Sequence, residues 1–124
     1  MYRLTKSFTF SASHAASHLE DENDPCTRLH GHNYVVEVVV EGALLDPKTQ
    51  MVLNLHVLKP FKEYLDTVFD HRHLNETLLD LGGASATTSE RLAEHFYGWC
   101  HSAWPEVKAV IVRESPTMSC EYRP

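Results

Sequence analysis

Hydrophobic and polar residues alternate from the second position of the chain. Tyr2, Leu4, Phe8 and Phe10 share one parity, with Arg3, Thr5, Ser7 and Thr9 on the other, and Lys6 interrupts the apolar set once. A period of two predicts a half-buried strand, and continuing it places Ala12 and His14 on the aromatic face. Residues 17–29 (SHLEDENDPCTRL) are polar, contain a proline and show no period, so a loop is expected. A second strand follows over 30–41, with His30, His32, Tyr34, Val36, Val38 and Val40 on one parity. The Asp-Pro turn in ALLDPKTQM is expected to fold a hairpin back into MVLNL.

The period then lengthens. Phe61, Leu65, Val68 and Phe69 form an apolar stripe that predicts a helix over 59–69, with Pro60 near its start. LGGASATT reads as a loop, and Thr87 with Glu90 fits a capping box ahead of a second stripe, Leu92, Phe96, Trp99 and Cys100. Past Pro105, strands are expected over 107–114 and 117–122, joined at Ser115-Pro116, with Val110, Val112 and Glu114 on one face. The order strand, strand, helix, helix, strand, strand suggests an α+β domain with both helices on one face of the sheet.

No repeat or linker-like shift in composition divides residues 1–124, so a single domain is expected. The net charge of −6 argues against non-specific nucleic-acid binding, which needs a basic face to replace counterions. No apolar run reaches membrane-spanning length, and MYRLTKSF has no signal-like apolar core. Three irregularly spaced cysteines, Cys26, Cys100 and Cys120, make a poor disulfide framework. Together these point to a cytoplasmic chain with no membrane partner.

Nine histidines, five of them before position 60, turn attention to metal chemistry. His30 and His32 are two apart on a strand, so both imidazoles leave one face, and Gly31 leaves the other face without a side chain. Alone, such a triplet is more often an ordinary strand entry. His14 ends the first strand where antiparallel pairing would meet His30, making a neutral set of three ligands with an open position, as in catalytic zinc sites. His18 in the loop is the competing third ligand. Cys26 is either a fourth ligand that closes the site or a separate reactive thiol. Asp70-His71 on its own reads more readily as an ordinary helix end with a favourably placed His, and Glu114 has an ordinary reading as a charged strand end. Cys100 and Cys120 lie in apolar patterns and are expected in the core, and His56, His73, His95 and His101 are assigned no role.

The blocks FTFSASH (8–14), CTRLHGHNY (26–34), MVLNLHVLK (51–59), DHRHLN (70–75), TTSERLA (87–93) and the strand ending at Glu114 occur in that order. Together they resemble the family of 6-pyruvoyl-tetrahydropterin and 6-carboxytetrahydropterin synthases across nearly the whole chain. The resemblance implies a tunnelling fold (T-fold), a four-stranded antiparallel sheet with two helices on one face. It also implies a homo-oligomer, commonly a hexamer of two stacked trimers with active sites between subunits.

It implies, further, Zn2+ on His14, His30 and His32, Cys26 as the catalytic thiol, and Asp70 with His71 completing the acid-base set. Glu114 would hold the pterin ring, with Thr88 and Arg28 as further substrate contacts; Lys6 and Arg72 are other candidates for the triphosphate. The substrate implied is 7,8-dihydroneopterin triphosphate. The three residues between Cys26 and His30, and the ending CEYR, resemble the carboxy branch, which releases acetaldehyde and triphosphate on the route to queuosine and other 7-deazapurines. Asn54-Leu55 and Thr87 resemble the pyruvoyl branch, a triphosphate lyase, and Arg91 stands where an Asn is common. A non-catalytic module with Cys26 and three histidines closing a zinc site is the reading from another class.

Overall fold

In the computed structural model, which describes residues 1–81 and 86–124, two long strands form the spine. β1 (Tyr2–His14) and β2 (His30–Gly42) pair antiparallel along their full length, from Tyr2↔Gly42 to His14↔His30. The expected parity is what the fold buries: Phe8, Phe10, Ala12 and His14 on β1, and Tyr34, Val36, Val38 and Val40 on β2. Arg3, Thr5, Ser7 and Thr9 are exposed on the other face.

β4 (Val107–Ser115) pairs antiparallel with β2, and β5 (Met118–Tyr122) with β4. β3 (Arg72–His73) adds a short parallel pairing at Ala12 and Ser13 of β1. The sheet is therefore five-stranded and mixed, in the order β3-β1-β2-β4-β5, where four antiparallel strands were expected. Two residues of β3 leave no periodic signal to read. A register shift at Val39/Val40 accompanies a small second cluster of Val39, Ala109 and Ile111.

The inner face packs against α1 (Lys59–Tyr64), the wide π turn that continues it (Leu65–Phe69), α2 (Leu74–Asp80) and α3 (Ser89–Ala103). Phe61, Leu65, Phe69, Leu92, Phe96 and Cys100 meet the strands in one core, where Phe10 stacks on Tyr34 with centroids 4.8 Å apart. α2 was not expected. It is a seven-residue helix whose buried side is only Leu74 and Leu78.

The expected hairpin into MVLNL does not form. β2 already has β1 on one side and β4 on the other, so no edge is left to pair with residues 51–55. Instead Asp46 closes a turn by accepting the Lys48 and Thr49 N–H groups, and Asn54 caps a 3-10 turn over Leu55–Leu58. The α3 cap also differs: Thr88, not Thr87, accepts the Arg91 N–H at 3.3 Å. The Thr87 side chain is committed elsewhere. Of the expected loop LGGASATT, residues 82–85 lie outside the described residues.

Candidate metal centre and active site

The β1–β2 register sets His14 opposite His30, and strand alternation sends His32 to the same face. The ring centroids are 4.5 Å (His14–His30), 4.8 Å (His30–His32) and 5.1 Å (His14–His32) apart. One ring nitrogen from each lies within 4.8 Å of the others. His18, the competing ligand, lines the same cavity but is not in this group, and neither is Cys26.

The protonation pattern follows from the partners. His14 Nδ1 faces the Thr87 carbonyl at 3.1 Å and Thr87 Oγ1 at 3.0 Å, and His30 Nδ1 faces the Arg28 carbonyl at 2.6 Å. A carbonyl oxygen only accepts, so each Nδ1 carries the proton and each Nε2 presents a lone pair. Burial holds His14 and His32 below the ordinary imidazole range, which keeps them neutral, as a metal ligand must be. Among the described residues, His14 Nε2 and His32 Nε2 are buried without a hydrogen-bond partner. Unpaired, converging, neutral nitrogens braced by carbonyls fit a divalent ion with N ligands.

A cavity of about 740 Å³ opens over this cluster. Cys26, Thr87, Thr88, Glu114 and Cys120 line it as well. Cys26 is exposed on a 3-10 turn whose cap, Asp24, accepts the Cys26 N–H at 2.9 Å. The loop is tied down where the Ala16 N–H donates to the Cys26 carbonyl at 2.7 Å. Hydrogen bonding to the Asp24 carboxylate pushes the thiol above its ordinary value, and the charge of Glu114 acts the same way. A thiolate base needs that value lowered; within one chain the nearest charges do the reverse. Glu114 Oε2 is 3.8 Å from His32 Nε2, with its side chain only 20% exposed.

Asp70 and His71 do not line this cavity. They are clipped to the outer edge of β1: Asp70 Oδ1 accepts the Ser11 N–H at 2.8 Å, and the His71 N–H donates to the Ser11 carbonyl at 2.6 Å. Asp70 Oδ2 lies 2.8 Å from His71 Nδ1, and these two contacts, Ser11 first, hold the Asp70 carboxyl below its usual range. His71 adopts a φ of 58°, uncommon for a residue with a Cβ, and its side chain is 83% exposed. The pair is rigidly placed and points outward.

Among the other expected contacts, Thr88 lines the cavity, whereas Arg28 reaches the cluster only through its carbonyl. Arg72 donates to the Thr67 carbonyl at 3.4 Å, and Lys6 lies in a separate groove with Lys59 and Lys62. Cys100 is buried in the core as expected, but Cys120 is only partly buried and lines the cavity wall. Thr87 and Asp24 were missed. A threonine adjoining a helix cap and an aspartate before Pro carry no signal of what they will touch.

A family model described as 6-pyruvoyl tetrahydropterin synthase matches residues 3–124. A 6-carboxy-5,6,7,8-tetrahydropterin synthase of Synechocystis sp. is 32% identical, over 98% of this chain and 93% of its own length. A 6-pyruvoyl tetrahydrobiopterin synthase of Drosophila melanogaster is 36% identical, over 76% of this chain and 61% of its own. The solved structure of Caenorhabditis elegans 6-pyruvoyl tetrahydropterin synthase superposes with a TM-score of 0.83 at 26% identity, covering 99% of this chain and 95% of that one.

Proposed function

Since the chain belongs to the 6-pyruvoyl tetrahydropterin synthase family, we propose that it is a zinc-dependent 6-carboxy-5,6,7,8-tetrahydropterin synthase. Its substrate in this reading is 7,8-dihydroneopterin triphosphate, and its products are 6-carboxytetrahydropterin, acetaldehyde and triphosphate. The observation that carries the reading is the convergence of three imidazoles on a cavity that also holds a free thiol and a half-buried carboxylate. A zinc ion held by His14, His30 and His32 would supply Lewis-acid polarisation of the substrate's side-chain oxygens.

The chain's own residues do the rest. Glu114 accepts paired hydrogen bonds from the 2-amino group and ring N–H of the pterin, fixing it against the cavity wall. Cys26, exposed in the cavity and outside the histidine group, takes a carbon-bound proton as its thiolate. Thr88 contacts the ring from the α3 cap. Arg28, exposed beside the cluster, is assigned to the triphosphate.

Asp70 and His71 enter from a neighbouring copy. β3 covers β1 only at Ala12 and Ser13, so the β1 edge over residues 2–10 has no strand partner among the described residues, and β5 ends the sheet on the other side. The Asp70–His71 pair flanks the β1 edge, and the Cys26 cavity is lined by Met118 and Cys120 of β5. Pairing β5 of one copy with β1 of the next repeats head to tail, closes into a ring and carries the outward His71 toward the neighbour's thiol.

The spacing of Cys26 from His30 and the match to a 6-carboxy relative over nearly the full length of both chains favour acetaldehyde release. The pyruvoyl reading draws on the match to the Drosophila synthase and on Asn54 and Thr87. Product masses after incubating zinc-loaded protein with dihydroneopterin triphosphate decide. Acetaldehyde with 6-carboxytetrahydropterin is expected; triphosphate released without acetaldehyde assigns the pyruvoyl reaction.

A further inference from the structure

Tyr34 follows His32 by two residues and shares its face of β2, with the rings 5.4 Å apart; His14 is 6.2 Å away. Its neighbours on that face and across the strand pair, Phe8, Phe10 and Val36, are apolar and buried, as is Tyr34 itself. Among the described residues its hydroxyl has no hydrogen-bond partner. A buried hydroxyl left unpaired costs free energy that a phenylalanine, filling the same ring volume, would not incur. The other unpaired buried side-chain atoms described are His14 Nε2 and His32 Nε2, so all three belong to adjoining side chains. An ion accounts for the two nitrogens and leaves the phenol.

A phenolic hydroxyl has a proton to donate, and buried beside the histidines this one has no acceptor among the described residues. Continuing the Val35↔Arg113 pairing by one residue sets Tyr34 opposite Glu114, on the strand that reaches the cavity.

We propose that Tyr34 is a positioning residue for the metal centre, its hydroxyl donating to the oxygen atom, of a water or of a substrate hydroxyl, that sits beside the three imidazoles when the metal is bound. The inference rests on the three-histidine metal site proposed above. It gives a physical reason for a tyrosine at the point where the β2 row passes from the two histidines to buried valines.

The test compares wild type, Tyr34→Phe and His30→Ala by chelator competition for zinc, by the visible bands of the cobalt-loaded proteins, and by melting temperature after metal stripping. Stripped Tyr34→Phe is expected to melt at or above wild type, since only an unpaired hydroxyl is lost. It is nonetheless expected to bind zinc about 10- to 100-fold more weakly and to show altered cobalt bands. Unchanged zinc affinity and cobalt bands overturn the proposal, whatever the melting temperature, because the hydroxyl would then serve the core alone. Wild type binding zinc no better than His30→Ala removes the metal-site premise, and this inference with it.

Discussion

Asp24 raises the Cys26 thiol above its ordinary value, and its carboxylate also caps the turn that carries it. Asp24→Asn keeps the cap, because asparagine is as good an N-cap as aspartate, and removes the charge. The thiol value should fall, so alkylation by iodoacetamide at a fixed pH near 8 should run faster than in wild type; an equal or slower rate would show that Asp24 does not govern the thiol. Cys26→Ala makes a separate point. Turnover should fall by about 10²- to 10⁴-fold, the scale of a lost proton-transfer group, while zinc content measured by mass stays at the wild-type level. Zinc lost with the thiol would restore the closed four-ligand site. The three histidines were legible in the sequence because strand parity determines which way each ring leaves the backbone. Asp24 and Thr87 were not, because their roles depend on where a loop and a helix start come to rest in space.

Period located β1, β2 and α3, since each buries one regular stripe over several residues, and the Ser115-Pro116 turn located the β4–β5 hairpin. It could not show that the helix begun at Lys59 widens into a π turn over Leu65–Phe69, where the Asp70 N–H donates to the Leu65 carbonyl at 2.8 Å. Apolar spacing is nearly the same in both helix types, yet the wider turn sets how Asp70 meets Ser11. That turn packs against α3 through His95, whose ring lies 5.8 Å from Phe69 and whose Nε2 is 2.8 Å from the Tyr64 hydroxyl. Burial lowers His95 from its ordinary 6.5, so the folded chain resists a proton that the unfolded chain accepts. Stability is therefore complete above pH 6.5 and falls as pH drops through that value. Urea unfolding of the metal-free protein at pH 7 and pH 5 should show this loss, and His95→Gln should reduce it. His14 and His32 are displaced in the same direction, so part of the slope will remain. An undiminished slope in His95→Gln would place the acid sensitivity elsewhere.

At the scale of the whole molecule, the thiol lines the cavity over the three histidines, whereas the Asp70–His71 pair lies off that cavity, bonded to the β1 edge at Ser11 with the His71 side chain turned outward. Sequence order hides this, because a chain lists residues without saying whose site they serve. If each site takes Cys26 from one copy and His71 from the next, Cys26→Ala and His71→Ala should complement one another. Each variant alone is expected to keep no more than about a hundredth of wild-type activity. Co-expressed in equal amounts and assembled at random into rings, they place an intact thiol beside an intact His71 at about one interface in four. Activity near a quarter of wild type is therefore expected, rising and falling with the mixing ratio as the product of the two fractions. Purified variants mixed without reassembly should stay inactive, because each ring then contains only one kind of defect. Co-expressed rings as inactive as either parent would place both residues in one chain's site, and the outward φ of His71 would need another explanation.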